Sequence, residues 1–119
     1  MNWNFVGTEK QIKWAEDIVN REMAKLDEAI REHEAQRDRM IAILRKGGND
    51  ATSYERETNI NCDRLVACRK AREHLISQLN GASAKDIIEN RYMMWDGVLA
   101  VIRYYQKERE KERQARKGN

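Results

Sequence analysis

Proline does not occur in this chain, and glycine occurs only six times in 119 residues. The strongest helix breaker is therefore missing, while Ala, Glu, Lys, Arg and Gln, all good helix formers, are abundant. Runs of Val, Ile, Thr and aromatic residues of the kind that mark strands are also missing. No stretch approaches 18 consecutive apolar residues, which excludes a membrane-spanning helix from the reading. The start, "MNWNFVG", has neither a basic head nor a sufficient apolar run, so a secretory signal is not expected. Cysteine occurs twice, at Cys62 and Cys68. A six-residue step on a helix carries two side chains to opposite faces, so they do not bridge each other. Free thiols in a reducing, cytoplasmic setting are the expectation. The length fits one domain with one core.

What is present is helical periodicity. Thr8 and Gln11 have the spacing of a capping box, in which the hydroxyl reaches the third amide and the glutamine reaches back. From there Ile12, Ala15, Val19, Met23, Leu26, Ile30, Met40, Ile41 and Leu44 lie on one helical stripe. The stripe stops at "KGGND", a helix stop. A first helix over 9–46, about 55 Å long, follows. A second runs over 53–80, with Leu65, Cys68, Ala71, Leu75, Ile76 and Leu79 inward. "NGAS" then separates it from a third, over 84–106, started by Ser83 and Asp86 with capping-box spacing and carrying Ile87, Ile88, Met94, Trp95, Val98, Leu99, Ile102 and Tyr105.

A short loop makes the first two helices antiparallel neighbours. The apolar part of the third, Ile87 to Tyr105, covers only about 27 Å. The expected fold is all-α: a long antiparallel helical hairpin with a third helix packed at one end, a three-helix bundle with a projecting coiled-coil arm. The domain would occupy 8–106, with an apolar N-terminal segment at 1–7 and a charged tail at 107–119. His33 and Arg37 interrupt the stripe where the third helix would leave it uncovered, and Met40, Ile41, Ile43 and Leu44 make the tip apolar again. An uncovered apolar tip suggests pairing with another copy or with a partner.

Trp14 falls nearly opposite the main stripe, with Ile18 one turn later on its side. The favoured reading packs Trp14 under Trp3, Phe5 and Val6, or against the third helix. The alternative is an exposed aromatic anchor in a binding surface.

"GTEKQIKWAEDI" (7–18) also resembles a segment of small, largely uncharacterised proteins of bacteria, plasmids and phages, of the form E-K-Q-I-x-W-A-E-x-I. Those proteins often carry a downstream element, W-I-[DE]-x-R. Here "SAKDIIENRYMMW" (83–95) is similar to it at Ile88, Glu89 and Arg91, with Ile87 in place of the tryptophan. The resemblance implies a phage or mobile-element origin rather than an activity. It groups Thr8, Glu9, Gln11, Trp14, Ile18, Arg91 and Trp95 as a structural motif, a clasp in which Arg91 would pair with Glu9 or Glu16.

Tests for chemistry return little. His33 and His74 are the only imidazoles, and no H-x-x-x-H, E-x-x-H or C-x-x-C spacing exists, so neither a metal nor another cofactor is expected. Ser53, Ser77 and Ser83 sit at cap or helix-surface positions, without the sharp elbow of a catalytic serine. "KGGND" lacks the G-K-[ST] ending of a phosphate-binding loop. The chain reads as a non-enzyme.

The formal charge of +3 is uneven. Residues 107–117 hold six basic and three acidic groups, so the other 17 of 23 basic residues meet the other 17 of 20 acidic ones. The body is neutral and the excess sits in the tail.

The leading functional expectation is a non-enzymatic phage or mobile-element accessory protein that binds a protein partner, as an inhibitor of a host defence system such as CRISPR would. Its contact residues would be Arg37, Met40, Ile41 and Leu44 on the arm, and Arg109, Arg113, Arg116 and Lys117 on the tail. A homodimer through the arm is part of this expectation. One rival is nucleic-acid binding by the basic tail and Arg103. Another is an oligomeric nucleotide-binding sponge lined by Arg69, Arg72 and Trp95.

Overall fold

A computed structural model of the chain describes residues 3–47 and 52–117, with side-chain surroundings for 3–46 and 63–116. Most of the "KGGND" turn (46–50) lies outside the described residues, as does the side chain of Cys62.

Four α-helices account for nearly all of it: α1 (Glu9–Gly47), α2 (Thr52–Leu79), α3 (Ala84–Glu89) and α4 (Met94–Lys117), with one 3-10 turn, Arg91–Met93, between the last two. The fold is all-α, as the absence of strand-forming runs requires. It is elongated: the radius of gyration is 18.1 Å, against about 13.5 Å for a compact chain of this length. The long dimension of 61 Å is close to the roughly 58 Å that the residues of α1 span.

α1 begins with the capping box that its sequence announces. The Gln11 amide donates to Thr8 Oγ1 at 3.2 Å, and the Thr8 amide donates to Gln11 Oε1 at 3.0 Å. The inward stripes of α1 and α2 then meet in two adjoining clusters. One gathers Trp3, Phe5, Ala15, Ile18, Val19, Met23, Ala84 and Ile87 at the thick end. The other gathers Leu26, Ile30, Leu65, Cys68, Leu75 and Val98, with Trp95, Val101 and Ile102 against it. Burial pushes the Cys68 thiol up, so at neutral pH it is an uncharged core side chain. Interhelical ion pairs flank these clusters, Asp27–Arg72 at 2.6 Å and Glu34–Arg69 at 3.4 Å.

The N-terminal segment is part of the fold. Trp3 and Phe5 are buried and stacked at 5.5 Å, and Trp3 Nε1 donates to Asn20 Oδ1 at 2.8 Å. The Val6 amide donates to the Ala82 carbonyl at 2.9 Å and the Ala84 amide donates to the Val6 carbonyl at 2.8 Å. This parallel bridge ties the chain's start to the loop before α3. Gly7 makes the approach feasible: its φ is +156°, and a Cβ there would meet Gln11 Oε1 at 2.9 Å and Ala84 Cβ at 3.1 Å. Gly7→Ala is expected to cost about 1 kcal/mol, because the capping glutamine and the bridge must both shift. A melting temperature unchanged from wild type would contradict this packing.

Two features differ from the sequence reading. The expected single helix over 84–106 is broken at Asn90. Its side-chain amide donates to the Asp86 carbonyl at 2.8 Å, and Arg91 Nη1 donates to the Ile88 carbonyl at 2.6 Å. The Asp86 carbonyl keeps the Asn90 amide as its helical donor at 3.0 Å. The Ile88 carbonyl, which the next turn needs, is taken by the Arg91 side chain, and α3 ends without proline or glycine. Residues 107–117, read as a charged tail, are the last three turns of α4. Arg109 Nη2 donates to Asp63 Oδ1 at 3.3 Å and Arg113 pairs with the other oxygen of the same carboxylate. Charged contacts carry α4 along α2 past the point where its apolar residues stop. α2 runs eleven residues from Asp63 back to Thr52, while α4 runs four beyond Arg113. About 10 Å of hairpin therefore projects beyond the third helix, a shorter arm than the apolar pattern alone indicates.

Candidate functional site

The break at Asn90 turns the chain so that Arg91, Tyr92 and Met93 stand at the outside of a bend, beside the first turns of α1. α3 is placed there by its N-cap, with the Asp86 amide donating to Ser83 Oγ at 3.3 Å, and by burial of Ala84 and Ile87. The Arg91 guanidinium then lies 5.1 Å from the Trp14 ring centroid and 4.5 Å from that of Tyr92. Its Nη2 donates to the Tyr92 hydroxyl at 3.3 Å. The result is a guanidinium in contact with two aromatic rings at the surface, with Trp14 48% exposed, Tyr92 83% and Met93 66%. Exposed tryptophan, tyrosine and arginine in one patch have the composition of a protein-binding hot spot.

Trp14 is thus not the core residue that the favoured reading made it. Trp3 and Phe5 fill the position beneath α3, and Ile18, on the edge of the same face, is buried with them. A short helix cannot cover a further face of α1, so Trp14 is left at the rim. The neighbours of Trp14 on its own helix, Lys10, Asp17 and Arg21, are all exposed, and in the sequence they mark this as a solvent-facing side. The two similar segments do meet, but Arg91 stacks on Trp14. It is not seen paired with Glu9, which is exposed, or with Glu16. Trp95, also grouped with them, is half-buried in the second cluster, with Lys25 Nζ 5.4 Å from its ring.

Tyr92 and Met93 were not among the sequence candidates. In an unbroken helix they would have been two unremarkable positions; only the turn at Asn90 displays them.

The other candidates are spread along the molecule. On the arm, Met40, Ile41 and Leu44 are half-buried and Arg37 pairs with Asp38 of its own helix at 3.2 Å. Ile43 is 41% exposed. On α4, Arg109 and Arg113 are engaged with Asp63, so two of the four proposed tail contacts serve the fold. Arg116 is exposed, and the Lys117 side chain lies outside the described residues. This weakens the nucleic-acid reading, because the phosphate-facing charges are fewer by two. Arg69 and Arg72, proposed to line a nucleotide site, are likewise paired across α1 and α2.

A second aromatic group lies on α2 and α4. Tyr105 contacts His74 and Tyr104 edge-on and has Lys70 Nζ 6.0 Å from its ring. Among the described residues, no three His, Cys, Asp or Glu side chains converge as a metal site, and no helix is long and apolar enough to cross a membrane. No protein-family model, curated protein or solved structure matches this chain.

Proposed function

We propose that this chain is a non-enzymatic binding protein that occupies the surface of a protein partner through the Trp14–Arg91–Tyr92–Met93 face. The observation that carries the reading is Trp14 itself. A tryptophan in the densest segment of the sequence is half exposed and stacked on an arginine from a second segment, when the same helix has a core available. Large rigid aromatics held in place before binding lose little freedom on binding, which favours them as anchors. Support for a phage or mobile-element accessory role, in the cytoplasm of the host cell, comes from the resemblance of 7–18 and 83–95. An inhibitor of a host defence component fits that setting, since such a protein needs only to cover a surface. The arm tip, with Ile43 exposed, is the second contact in this proposal, and self-association through it would appear as a doubled mass in light scattering.

The test is affinity capture from the host cell with wild type and with Tyr92→Ala. Tyr92 is mostly solvated, so its truncation is expected to change stability by less than about 0.5 kcal/mol. A partner captured by wild type should be lost from Tyr92→Ala, and also from Trp14→Ala. Capture that is equal for all three proteins would reject the face as the binding surface.

A further inference from the structure

We infer that the partner presents an acidic protein segment to this face, and that one of its carboxylates seats on Arg91 beside the two rings. The inference rests on the preceding reading of the face and specifies its chemistry. A guanidinium has five N–H donors. On Arg91, Nη1 donates to the Ile88 carbonyl at 2.6 Å and Nη2 to the Tyr92 hydroxyl at 3.3 Å, which leaves three. Among the described residues no carboxylate lies within ion-pair reach of it, whereas Arg69, Arg72, Arg109 and Arg113 each have one. Two aromatic rings lie against it, and two of its N–H groups are already bonded, which restricts how the guanidinium can turn. A planar fork of donors, positioned in advance, matches a carboxylate better than a point charge does.

The surroundings have the same sign. Lys10, one turn before Trp14, and Arg21, two turns after, share its side of α1 and are exposed, against a single Asp17. With Arg91 that is three cations to two anions, Asp17 and Asp96 in the first turn of α4. Lys25 is left out because Glu22 holds it at 3.1 Å, and Lys85 and Glu89 on α3 pair with each other at 3.8 Å. Asp86 lies at the far end of α3 from Arg91. A protein segment is favoured over a nucleic acid on two grounds. Arg91 occupies one face of each ring, the faces on which bases would stack. Met93 beside them, 66% exposed, offers an apolar shelf suited to a side chain rather than to a phosphate.

A selection from a random peptide library tests this, with wild type, Tyr92→Ala and Arg91→Gln as baits and oligothymidylate as a separate probe. Peptides that wild type enriches and Tyr92→Ala does not are expected to be rich in Asp and Glu. Arg91→Gln should weaken the best of them by about tenfold or more, the loss of a charged hydrogen-bonded pair. Replacing the peptide's carboxylates by amides should weaken wild type equally and Arg91→Gln hardly at all. That pattern separates a lost ion pair from a disturbed α3, since a misfolded face would lose every peptide. If the face enriches peptides without acidic residues, the carboxylate inference falls and the binding face stands. If no peptide depends on Tyr92, both fall. Tighter binding of oligothymidylate than of any peptide, abolished by Tyr92→Ala, would overturn the inference in favour of nucleic acid.

Discussion

Trp3→Ala is expected to lose about 3–4 kcal/mol in urea or thermal unfolding, the usual cost of deleting a buried tryptophan. For a domain of ordinary stability that is a large share of the total. Trp3 is 7% exposed, stacks on Phe5 and bonds Asn20, so its loss empties the slot beneath α3. The parallel bridge from Val6 to 82–84 then has little to hold it. Because that bridge locates α3, the juxtaposition of Arg91 with Trp14 should loosen before the rest of the bundle melts. Hydrogen exchange would show this as early loss of protection at 84–90. Trp3→Phe keeps the stack and drops one hydrogen bond, and should cost about 1 kcal/mol. A loss below about 1 kcal/mol for Trp3→Ala would mean that the N-terminal segment is not docked.

The second large effect concerns Asp63. One carboxylate, its side chain 14% exposed, serves both Arg109 and Arg113, which are 29% and 35% exposed. Asp63→Ala leaves two half-buried guanidinium groups facing each other. Fully buried pairs cost about 3–5 kcal/mol when one partner is removed and exposed pairs about 0–1, so about 2 kcal/mol is expected here. The damage should be local, with the amides of 107–117 losing protection from exchange while those around Leu26 keep theirs. Removing Arg113 in the same chain should restore part of the stability, since the repulsion goes with it. Unchanged protection at 107–117 would indicate that α4 is held by something other than this carboxylate.

Much of the architecture was legible because it depends on local chemistry. The Thr8–Gln11 box appears as written, and the stripe from Ile12 to Ile30 faces inward as its period requires. The reading of 84–106 as one helix carries the apolar stripe from Ile88 to Met94 across Asn90 and Arg91, the polar turn at which the helix breaks. Periodicity is blind to a side chain that competes for a main-chain carbonyl. Apolar spacing is equally silent on how 107–117 docks, because this part of α4 is secured by Arg109 and Arg113 on a carboxylate more than 45 residues away in sequence. The candidate site was half legible: Trp14 and Arg91 were singled out as a joined pair of motifs, but with the wrong kind of contact.

By itself, then, the amino-acid order determined the helical class, the start of α1, the inward faces of α1 and α2, and their antiparallel pairing, because each follows from backbone hydrogen bonding and from apolar spacing along one segment. Which tryptophan is buried was decided only in three dimensions. Trp3 and Trp14 compete for one site under α3, and the outcome depends on a bridge between residues 6 and 83. The last turns of α4 likewise had to meet α2 before Arg109 and Arg113 acquired their partner. Packing among distant segments left Trp14, Arg91, Tyr92 and Met93 together at the surface, and a core with room for two rings beneath a six-residue helix has no place for a third.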